Sequence, residues 1–303
     1  MKTNIRTLLD TYQVRKTYNQ KTEFKNWLDD RADEMGYSLV NDEHGMCRNL
    51  IFGDIEDADL ILTAHYDTQP NFYIPIVMFF SNLPMFLISQ LITAIPILIL
   101  LLLGNRWLVS GQDLWLKIIN LTVIVGYCYQ IMYGIPNKHT ANDNTSGVAT
   151  LLSIMEDLPL ELRGKVAFVF FDLEETGLEG SSKFKKRYGQ YIVDTPLINF
   201  DCVGNGDTFI FVEKQQFRES KHSELLQTAT QGLNKPVIHG NATKYIYMSD
   251  QLHFKNSVGV VVAKRAPVLG YYLDRIHTRL DTVFQNENVE ALTLVMINYI
   301  KML

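Results

Sequence analysis

The sequence predicts an α/β fold: a mostly parallel mixed sheet flanked by helices, with a helical hairpin inserted in the first half of the chain. Two observations predict the sheet. Short apolar runs such as "DLILTAH" and "KVAFVFF" alternate with segments of helical periodicity, and near-continuous apolar strands are typical of parallel sheets covered on both faces. A third predicts the insertion, because residues 71–105 contain no Asp, Glu, Lys, Arg or His in a chain that is 20% charged.

Apolar spacing assigns the elements in chain order. Residues 22–37 predict a helix, because Phe24, Trp27 and Leu28 recur at helical spacing and Gly36 can end it. Strands are predicted where short apolar runs are bounded by turn residues. The predicted strands cover 47–54, 59–67, 165–175, 196–204, 208–213 and 257–265, and the further predicted helices cover 144–158, 180–189, 220–233 and 288–303.

The bulk composition excludes several classes of protein. The net charge is −5 and no long basic run occurs, which argues against a nucleic-acid partner. Cys47, Cys128 and Cys202 form no ligand-spaced pair, so neither a disulfide framework nor a thiolate zinc site is indicated. The N-terminus lacks the apolar run of a secretory signal, so we expect the catalytic part of the protein in the cytosol. Nothing in the sequence indicates an oligomeric state.

Potential metal ligands lie at the ends of predicted strands and at one helix start. In open α/β sheets, ligands bind at the carboxyl ends of the strands. Residues two apart in a strand face the same way, so Asp67 can orient the imidazole of His65. The candidates are His65 and Asp67 in "AHYD", Asp143 in "ANDNTSG", Glu174 and Glu175 in "DLEETG", Asp201 in "NFDCVG", and His277 in "RIHTRLDT".

The donor types in this set point to a divalent metal. Two histidines with several carboxylates, and no thiolate, suit a hard or borderline ion, and zinc is the usual choice. Five ligands are too many for one open catalytic zinc. They fit two ions that share a bridging carboxylate and together polarise a carbonyl oxygen.

These motifs, together with "SDQLHF", occur in the order found in the co-catalytic di-zinc aminopeptidases. The sequence therefore resembles peptidase family M28 over residues 22–67 and 136–303. The resemblance implies the zinc aminopeptidase/phosphorylase-hydrolase-like fold and two divalent cofactor ions, zinc by preference. It also implies a peptide substrate and hydrolysis that releases an N-terminal residue.

The resemblance further implies a role for each ligand. Asp143 would bridge the two ions. His65 and Asp201 would complete the ligands of one ion, and Glu175 and His277 those of the other.

Other positions are implied as catalytic or site-lining residues. Glu174 would be the general base that takes a proton from the attacking water and returns it to the leaving amine. Asp250 resembles a site-lining acid of the family. Some members place an oxyanion-stabilising tyrosine where this sequence has Ile276, and Tyr245 and Tyr247 are candidate substitutes.

Two alternative functions remain open. Glutaminyl cyclases share the fold, the "HYD" strand and the "EE" pair, and act as acyltransferases that cyclise N-terminal glutamine. The "NDNTSG" turn and the full five-ligand set favour the two-metal hydrolase. A non-catalytic membrane receptor or scaffold on this fold would have lost ligands, whereas this sequence keeps them all.

The apolar insertion, residues 71–135, divides one peptidase domain made of residues 1–70 and 136–303. Residues 85–103 are uncharged and approach the roughly 20 residues that a helix needs to span a bilayer. Residues 114–135 form a second, weaker candidate. We therefore expect a transmembrane hairpin, with the lipid bilayer as a partner and hydrophobic or membrane-associated peptides as substrates. An apolar lid or an oligomer interface is the alternative.

Overall fold

The computed structural model describes residues 1–72, 77–109 and 114–303, without the side chains at positions 93, 97, 100, 103–109 and 116. The strands in this part of the chain are β1 (Leu39–His44), β2 (Cys47–Phe52), β3 (Leu60–His65), β4 (Val77–Phe79), β5 (Val166–Phe171), β6 (Leu197–Phe200), β7 (Thr208–Glu213), β8 (Val237–Asn241), β9 (Ser257–Ala266) and β10 (Gly270–Asp274). The α-helices are α1 (Thr3–Thr11), α2 (Tyr18–Glu34), α3 (Leu83–Val109), α4 (Leu114–Tyr133), α5 (Thr145–Asp157), α6 (Glu179–Tyr188), α7 (Gln215–Arg218), α8 (Lys221–Ala229) and α9 (Asn286–Lys301).

One sheet runs through the molecule, in the order β1-β2-β5-β3-β6-β9-β10-β4, with β7 paired to β9 and β8 paired to β7. Its centre is parallel, because β3 pairs in parallel with both β5 and β6, and β6 with β9. The β1–β2, β2–β5, β9–β10 and β4–β10 pairs are antiparallel. The β7–β9 pair is also antiparallel, and the β7–β8 pair is parallel. The predicted mixed sheet flanked by helices is therefore confirmed. The prediction that the sheet is mostly parallel is not borne out, because five of the strand pairs in the described residues are antiparallel and four are parallel.

The central strands are buried on both faces. In β5, alternate side chains enter two apolar clusters: Phe168 and Phe170 lie in one, and Val169 and Phe171 in the other. Helices α5 and α9 pack together on the first side, while Phe184 of α6 belongs to the second cluster. This two-sided burial explains why the strand sequences are continuously apolar rather than alternating.

Local capping sets the helix starts. Helix α2 begins earlier than predicted, because Thr17 and Gln20 form a reciprocal capping box. Helix α5 begins after Asn144, whose side chain accepts a hydrogen bond from the backbone N–H of Gly147 at 3.0 Å. The sequence did not predict α1, α7, β1, β4, β8 or β10. Of these, β1 is a polar edge strand with the sequence LVNDEH, which lacks the apolar run on which strand prediction relies.

The insertion contains two helices that pack on each other. Helix α3 lies mainly against α4 and β4, and β4 pairs with β10, so the first leg of the insertion extends the edge of the sheet. Many large apolar side chains of the two helices are exposed; Leu91, Leu102 and Trp115 are 59%, 69% and 70% exposed. We refer to α3 and α4 together as the hairpin.

The predicted transmembrane hairpin is not supported. Among the residues described, no helix is long and apolar enough to cross a membrane. The prediction counted uncharged residues along the chain, whereas a span also needs an apolar helix of sufficient length in the folded protein. Residues 73–76 and 110–113 of the predicted 71–135 insertion lie outside the described residues.

Candidate metal centre

The candidate ligands converge at the carboxyl ends of the central strands. His65 is the last residue of β3 and lies in register with Phe171, the last residue of β5. Glu174 and Glu175 follow β5 in a turn. Two further carboxylates, on Asp201 after β6 and on Asp143 just before α5, and one imidazole, on His277 after β10, complete the set.

The Asp143 carboxylate lies between two imidazoles. Its Oδ1 is 3.3 Å from Nε2 of His65, and its Oδ2 is 2.9 Å from Nε2 of His277. Each histidine also faces one further carboxylate: Asp201 Oδ1 is 3.7 Å from His65 Nε2, and Glu175 Oε2 is 3.8 Å from His277 Nε2. Two groups of three ligand atoms, each within 4.8 Å of one another, thus share Asp143.

Asp67 links the first imidazole to the glutamate turn. Its Oδ1 lies 3.4 Å from Nδ1 of His65. The same carboxylate accepts hydrogen bonds from the backbone N–H groups of Glu174 at 3.0 Å and Glu175 at 3.3 Å. One buried side chain therefore orients a histidine and fixes the turn that presents two glutamates.

The loop that carries Asp143 is held from both sides. The Asp281 carboxylate accepts hydrogen bonds from the backbone N–H groups of Asn142 and Asp143, each at 2.9 Å. The Asn144 side chain donates to the backbone carbonyl of Phe200, at the end of β6, at 3.0 Å. The peptide bond between Asp143 and Asn144 is cis. These contacts place the Asp143 side chain between the strand ends.

Burial and mutual repulsion shift the pKa values of the acidic side chains in the site. Burial raises the pKa of Glu174 well above its ordinary value; the His65 charge opposes this shift and the Asp250 charge adds to it. Burial, followed by the charge of Asp143, raises the pKa of Glu175 in the same way. Asp143 behaves differently, because its two histidine partners outweigh burial and lower its pKa. Burial raises the pKa of Asp250 to about 7.

The donor set fits divalent ions. Imidazole nitrogens and carboxylate oxygens are ligands that zinc takes in proteins. Carboxylates outnumber imidazoles in this region, and burial together with the neighbouring carboxylates raises the pKa values of Glu174 and Glu175. A divalent ion at each group of ligands would supply the missing positive charge.

The remaining predicted residues lie around the ligands. Asp250 is fully buried at the start of a short 3₁₀ helix. Tyr247 donates its hydroxyl hydrogen to the backbone carbonyl of Asp201 at 3.0 Å, so this hydroxyl already has a partner beside the site. Tyr245 packs against Gly240 of β8 and against the apolar cluster that contains Tyr247.

Two buried residues near the ligands were missed from the sequence. Gln69 is 1% exposed and its side-chain amide faces Glu175 and His277. It continues the alternation of His65 and Asp67, which is a signal that could have found it. Arg15 is fully buried, and its guanidinium donates to the backbone carbonyls of residues 12 and 66 and to the Thr145 side chain. No pattern in the sequence marks Arg15.

Solved structures of other proteins share this fold. The chain is similar to LapA of Legionella pneumophila, with 14% identity, a TM-score of 0.56, and 98% of this chain and 71% of that chain covered. It is similar to a Zn-dependent exopeptidase of Parabacteroides distasonis, with 16% identity, a TM-score of 0.60, and 98% and 94% covered. For the glutaminyl cyclase of Porphyromonas gingivalis the identity is 17%, the TM-score 0.61, and the coverage 98% and 95%. No curated protein sequence matches the chain.

The sequence profile of peptidase family M28 matches residues 126–300, more than half of the chain. The matched part includes Asp143, the two glutamates, Asp201 and His277. His65 lies before it and joins the same site through β3. Family membership and the cluster of histidine and carboxylate ligands support a zinc-dependent hydrolase. This chain belongs to peptidase family M28.

Proposed function

We propose that this chain is a two-zinc metallopeptidase that hydrolyses peptide bonds and releases N-terminal residues. One observation carries the proposal: the Asp143 carboxylate lies between His65 and His277, and each histidine faces one carboxylate more. Such a set can hold two ions through a shared carboxylate. When bound, the ions would act as Lewis acids on the substrate carbonyl and make water more acidic.

Glu174 is the proposed general base. Its carboxylate belongs to a group with ligand atoms of His65 and Glu175, so it can reach water at the ligands without being needed as one of them. Its raised pKa makes it a stronger base than an exposed glutamate. It would take a proton from the attacking water and pass that proton to the leaving amine, while Asp67 keeps the glutamate turn in place.

The proposed substrates are hydrophobic or membrane-associated peptides. The apolar insertion begins beside the ligands, because the ring of Phe72 lies 5.4 Å from the imidazole of His277 in an edge-to-face arrangement. Its backbone N–H donates to the His277 carbonyl at 2.7 Å. Apolar side chains at the entry to the site would favour apolar substrate residues.

Glutaminyl cyclase activity is the second candidate, because the glutaminyl cyclase of Porphyromonas gingivalis has the same fold. In that reaction an N-terminal glutamine would lose ammonia and the peptide would stay whole. The second ligand group, with Asp201 near His65, favours the two-ion hydrolase, because it offers a complete place for another ion.

Metal and product analysis test the proposal together. We expect two zinc ions per chain by mass spectrometry of the purified protein, and stepwise loss of N-terminal residues from apolar peptides. A peptide that begins with glutamine separates the two candidates. If the peptide loses ammonia without being cleaved and the protein binds one ion, the function is that of a glutaminyl cyclase and the hydrolase proposal is refuted.

The variant Glu174→Gln tests the general base. It keeps the size of the side chain but removes its basicity, so we expect kcat to fall by about 10²- to 10⁴-fold, with the zinc content unchanged. Glu179→Gln is a matched control, because Glu179 lies on α6 in an ion pair with Lys183 and its side chain is 45% exposed. Full activity of Glu174→Gln would refute the mechanism.

We also propose that the hairpin is embedded in a lipid bilayer and holds the catalytic domain at the cytosolic side of the cell membrane. The exposed apolar side chains of the hairpin support a lipid partner, because soluble proteins rarely leave so many together. The three cysteines are free, which is consistent with a reducing compartment.

Liposome flotation of the full chain tests the lipid proposal. We expect the protein to float with the vesicles, and a variant with Leu87, Leu91 and Ile95 changed to Gln to stay at the bottom. A control with Leu160 and Val268 changed to Gln should float, because these residues are also highly exposed but lie outside the hairpin. Equal flotation of both variants would argue against the hairpin as the lipid-binding element.

A further inference from the structure

We propose that Gln69 is a positioning residue for one of the two ions, because its side-chain amide joins two ligands of that ion, Glu175 and His277. This inference rests on the two-ion site of the proposed function. Gln69 lies four residues after His65, the last residue of β3, and is 1% exposed. It lies in the segment that leads from the first ion's histidine into the insertion.

The amide meets both ligands in one orientation. With its oxygen toward His277, it accepts a hydrogen bond from the His277 backbone N–H at 3.0 Å. Its nitrogen then lies 3.0 Å from Oε2 and 3.2 Å from Oε1 of Glu175, and donates to that carboxylate. The same nitrogen lies beside the imidazole of His277, 2.7 Å from its Nδ1 and 2.9 Å from its Nε2. A single neutral side chain therefore sets the spacing between a carboxylate and an imidazole.

His277 needs such support, because its backbone is unusual. Its φ angle is +62°, in the left-handed region that side chains other than glycine rarely adopt and that costs about 1–3 kcal/mol. Two hydrogen bonds, one on each side of the residue, hold His277 in this conformation. The Gln69 oxygen accepts from the His277 N–H, and the backbone N–H of Phe72 donates to the His277 carbonyl at 2.7 Å.

The chain around Gln69 is itself held by the returning leg of the insertion. The Gln69 carbonyl accepts a hydrogen bond from the backbone N–H of Asn137 at 3.0 Å. The Asn137 side chain donates to the carbonyl of Thr278, next to His277, at 2.9 Å. Both legs of the insertion therefore contact the loop that carries the histidine, and Gln69 is the point at which that contact reaches the ligand atoms.

The charge state of the amide suits this role. A carboxylate at position 69 would repel Glu175, and an apolar side chain would leave the Glu175 carboxylate and the His277 N–H without this partner in a buried setting. An amide offers one acceptor and two donor hydrogens at once. Removing an outer partner of a metal ligand typically weakens metal binding by about 10- to 100-fold.

The test is zinc binding by the full chain at buffered free zinc, with the bound zinc measured by mass spectrometry. Gln69→Met keeps the size of the side chain and removes both hydrogen bonds. We expect one of the two ions to bind about 10- to 100-fold more weakly, while the other keeps its affinity. Gln285→Met is the control, because Gln285 is half-buried and contacts Lys235 at 3.0 Å instead of a metal ligand; its zinc binding should equal that of the unmodified protein.

The outcomes separate this inference from the proposed function. Two zinc ions in both the unmodified protein and Gln69→Met, with equal affinities, would overturn the role of Gln69 and leave the peptidase proposal intact. Failure of the unmodified protein to bind two ions would refute the proposed two-ion site itself. If Gln69→Met does not fold, Gln69→Asn supplies the measurement, because its amide is one methylene too short to reach both ligands and should weaken the same ion.

Discussion

The central sheet and the hairpin are built from similar apolar runs but have opposite environments. "VAFVFF" in β5 is buried at every position, whereas Leu91 and Leu102 of α3 are 59% and 69% exposed. At the ends of the sheet strands, polar side chains are buried and hydrogen-bonded. Apolar residues therefore stabilise the fold in one region, whereas in the other they form an exposed apolar surface.

The central sheet and the hairpin meet close to the candidate metal ligands. The insertion leaves the sheet after Gln69 and returns at Asn137, and both residues contact the loop that carries His277. The ligand geometry and the attachment of the hairpin consequently share a few hydrogen bonds. Substitutions on either side of this junction can show how far the regions depend on one another.

The largest effect is expected from Asp143→Asn in the sheet region. The change removes the charge that both ligand groups share, so both ions should be lost and kcat/KM should fall by at least about 10³-fold, as expected for the loss of several kcal/mol of transition-state stabilisation. Asp157→Asn is the control. Asp157 is the last residue of α5, the helix that follows Asp143, and its side chain is 45% exposed and pairs with Lys2. Zinc content and peptide cleavage are the measurements, and retained zinc in Asp143→Asn would contradict the shared carboxylate.

A pair of apolar truncations compares the two regions directly. Phe170→Ala should lower the free energy of unfolding by about 3–5 kcal/mol, because Phe170 is fully buried and its ring packs edge-to-face on Phe52 at 5.9 Å. Leu91→Ala in the exposed hairpin should change it by less than about 0.5 kcal/mol. Chemical denaturation of both variants in the same detergent is the measurement. Equal losses would show that Leu91 is covered in the folded protein.

A pH dependence of stability is also expected from Asp250. Its pKa is about 7 in the folded protein because of burial, compared with about 3.9 in an unfolded chain. The folded state thus favours the protonated acid, and the stability of metal-free protein should fall as the pH rises from about 4 to 7, by up to about 1.4 kcal/mol for each pKa unit.

Asp250→Asn removes this contribution, because its side chain does not ionise. Urea unfolding in a chelating buffer at pH 5 and pH 8 should show a smaller loss of stability for Asp250→Asn than for the unmodified protein. Glu174 and Glu175 also have raised pKa values, and the Asp250 charge contributes to that of Glu174, so the difference between the two proteins includes the effect of Asp250 on Glu174. Parallel pH profiles would contradict a buried, protonated Asp250.

The sequence predicted the central strands and the motif residues at their ends, because continuous apolar runs and strand-end polar residues are local features. The short strands β4, β8 and β10 were not predictable in this way, since each is defined by the strands with which it pairs. The start of α2 depended on a capping box at Thr17, which lies five residues before the predicted start. The bilayer-spanning hairpin was predicted from the composition and length of the uncharged runs and is not supported by the described helices.

The site shows the same division between local and long-range information. The residue types that suit a divalent ion, and the adjacent pair Glu174 and Glu175, can be recognised in the sequence. The hydrogen bonds that the Asp281 carboxylate accepts from the Asp143 loop, and the contacts of Gln69 with Glu175 and His277, join segments more than a hundred residues apart. Arg15, buried near Asp67, is a similar case.

The sequence by itself determined the class of fold, the donor chemistry of the site and the family resemblance, because these depend on residue types and their local order. Only the tertiary structure decided which atoms face one another: Asp143 between two imidazoles, Asp67 beneath the glutamate turn, and Gln69 between Glu175 and His277. The physical reason is that a ligand geometry depends on distances between side chains brought together by sheet pairing and loop hydrogen bonds, and no local pattern encodes those distances.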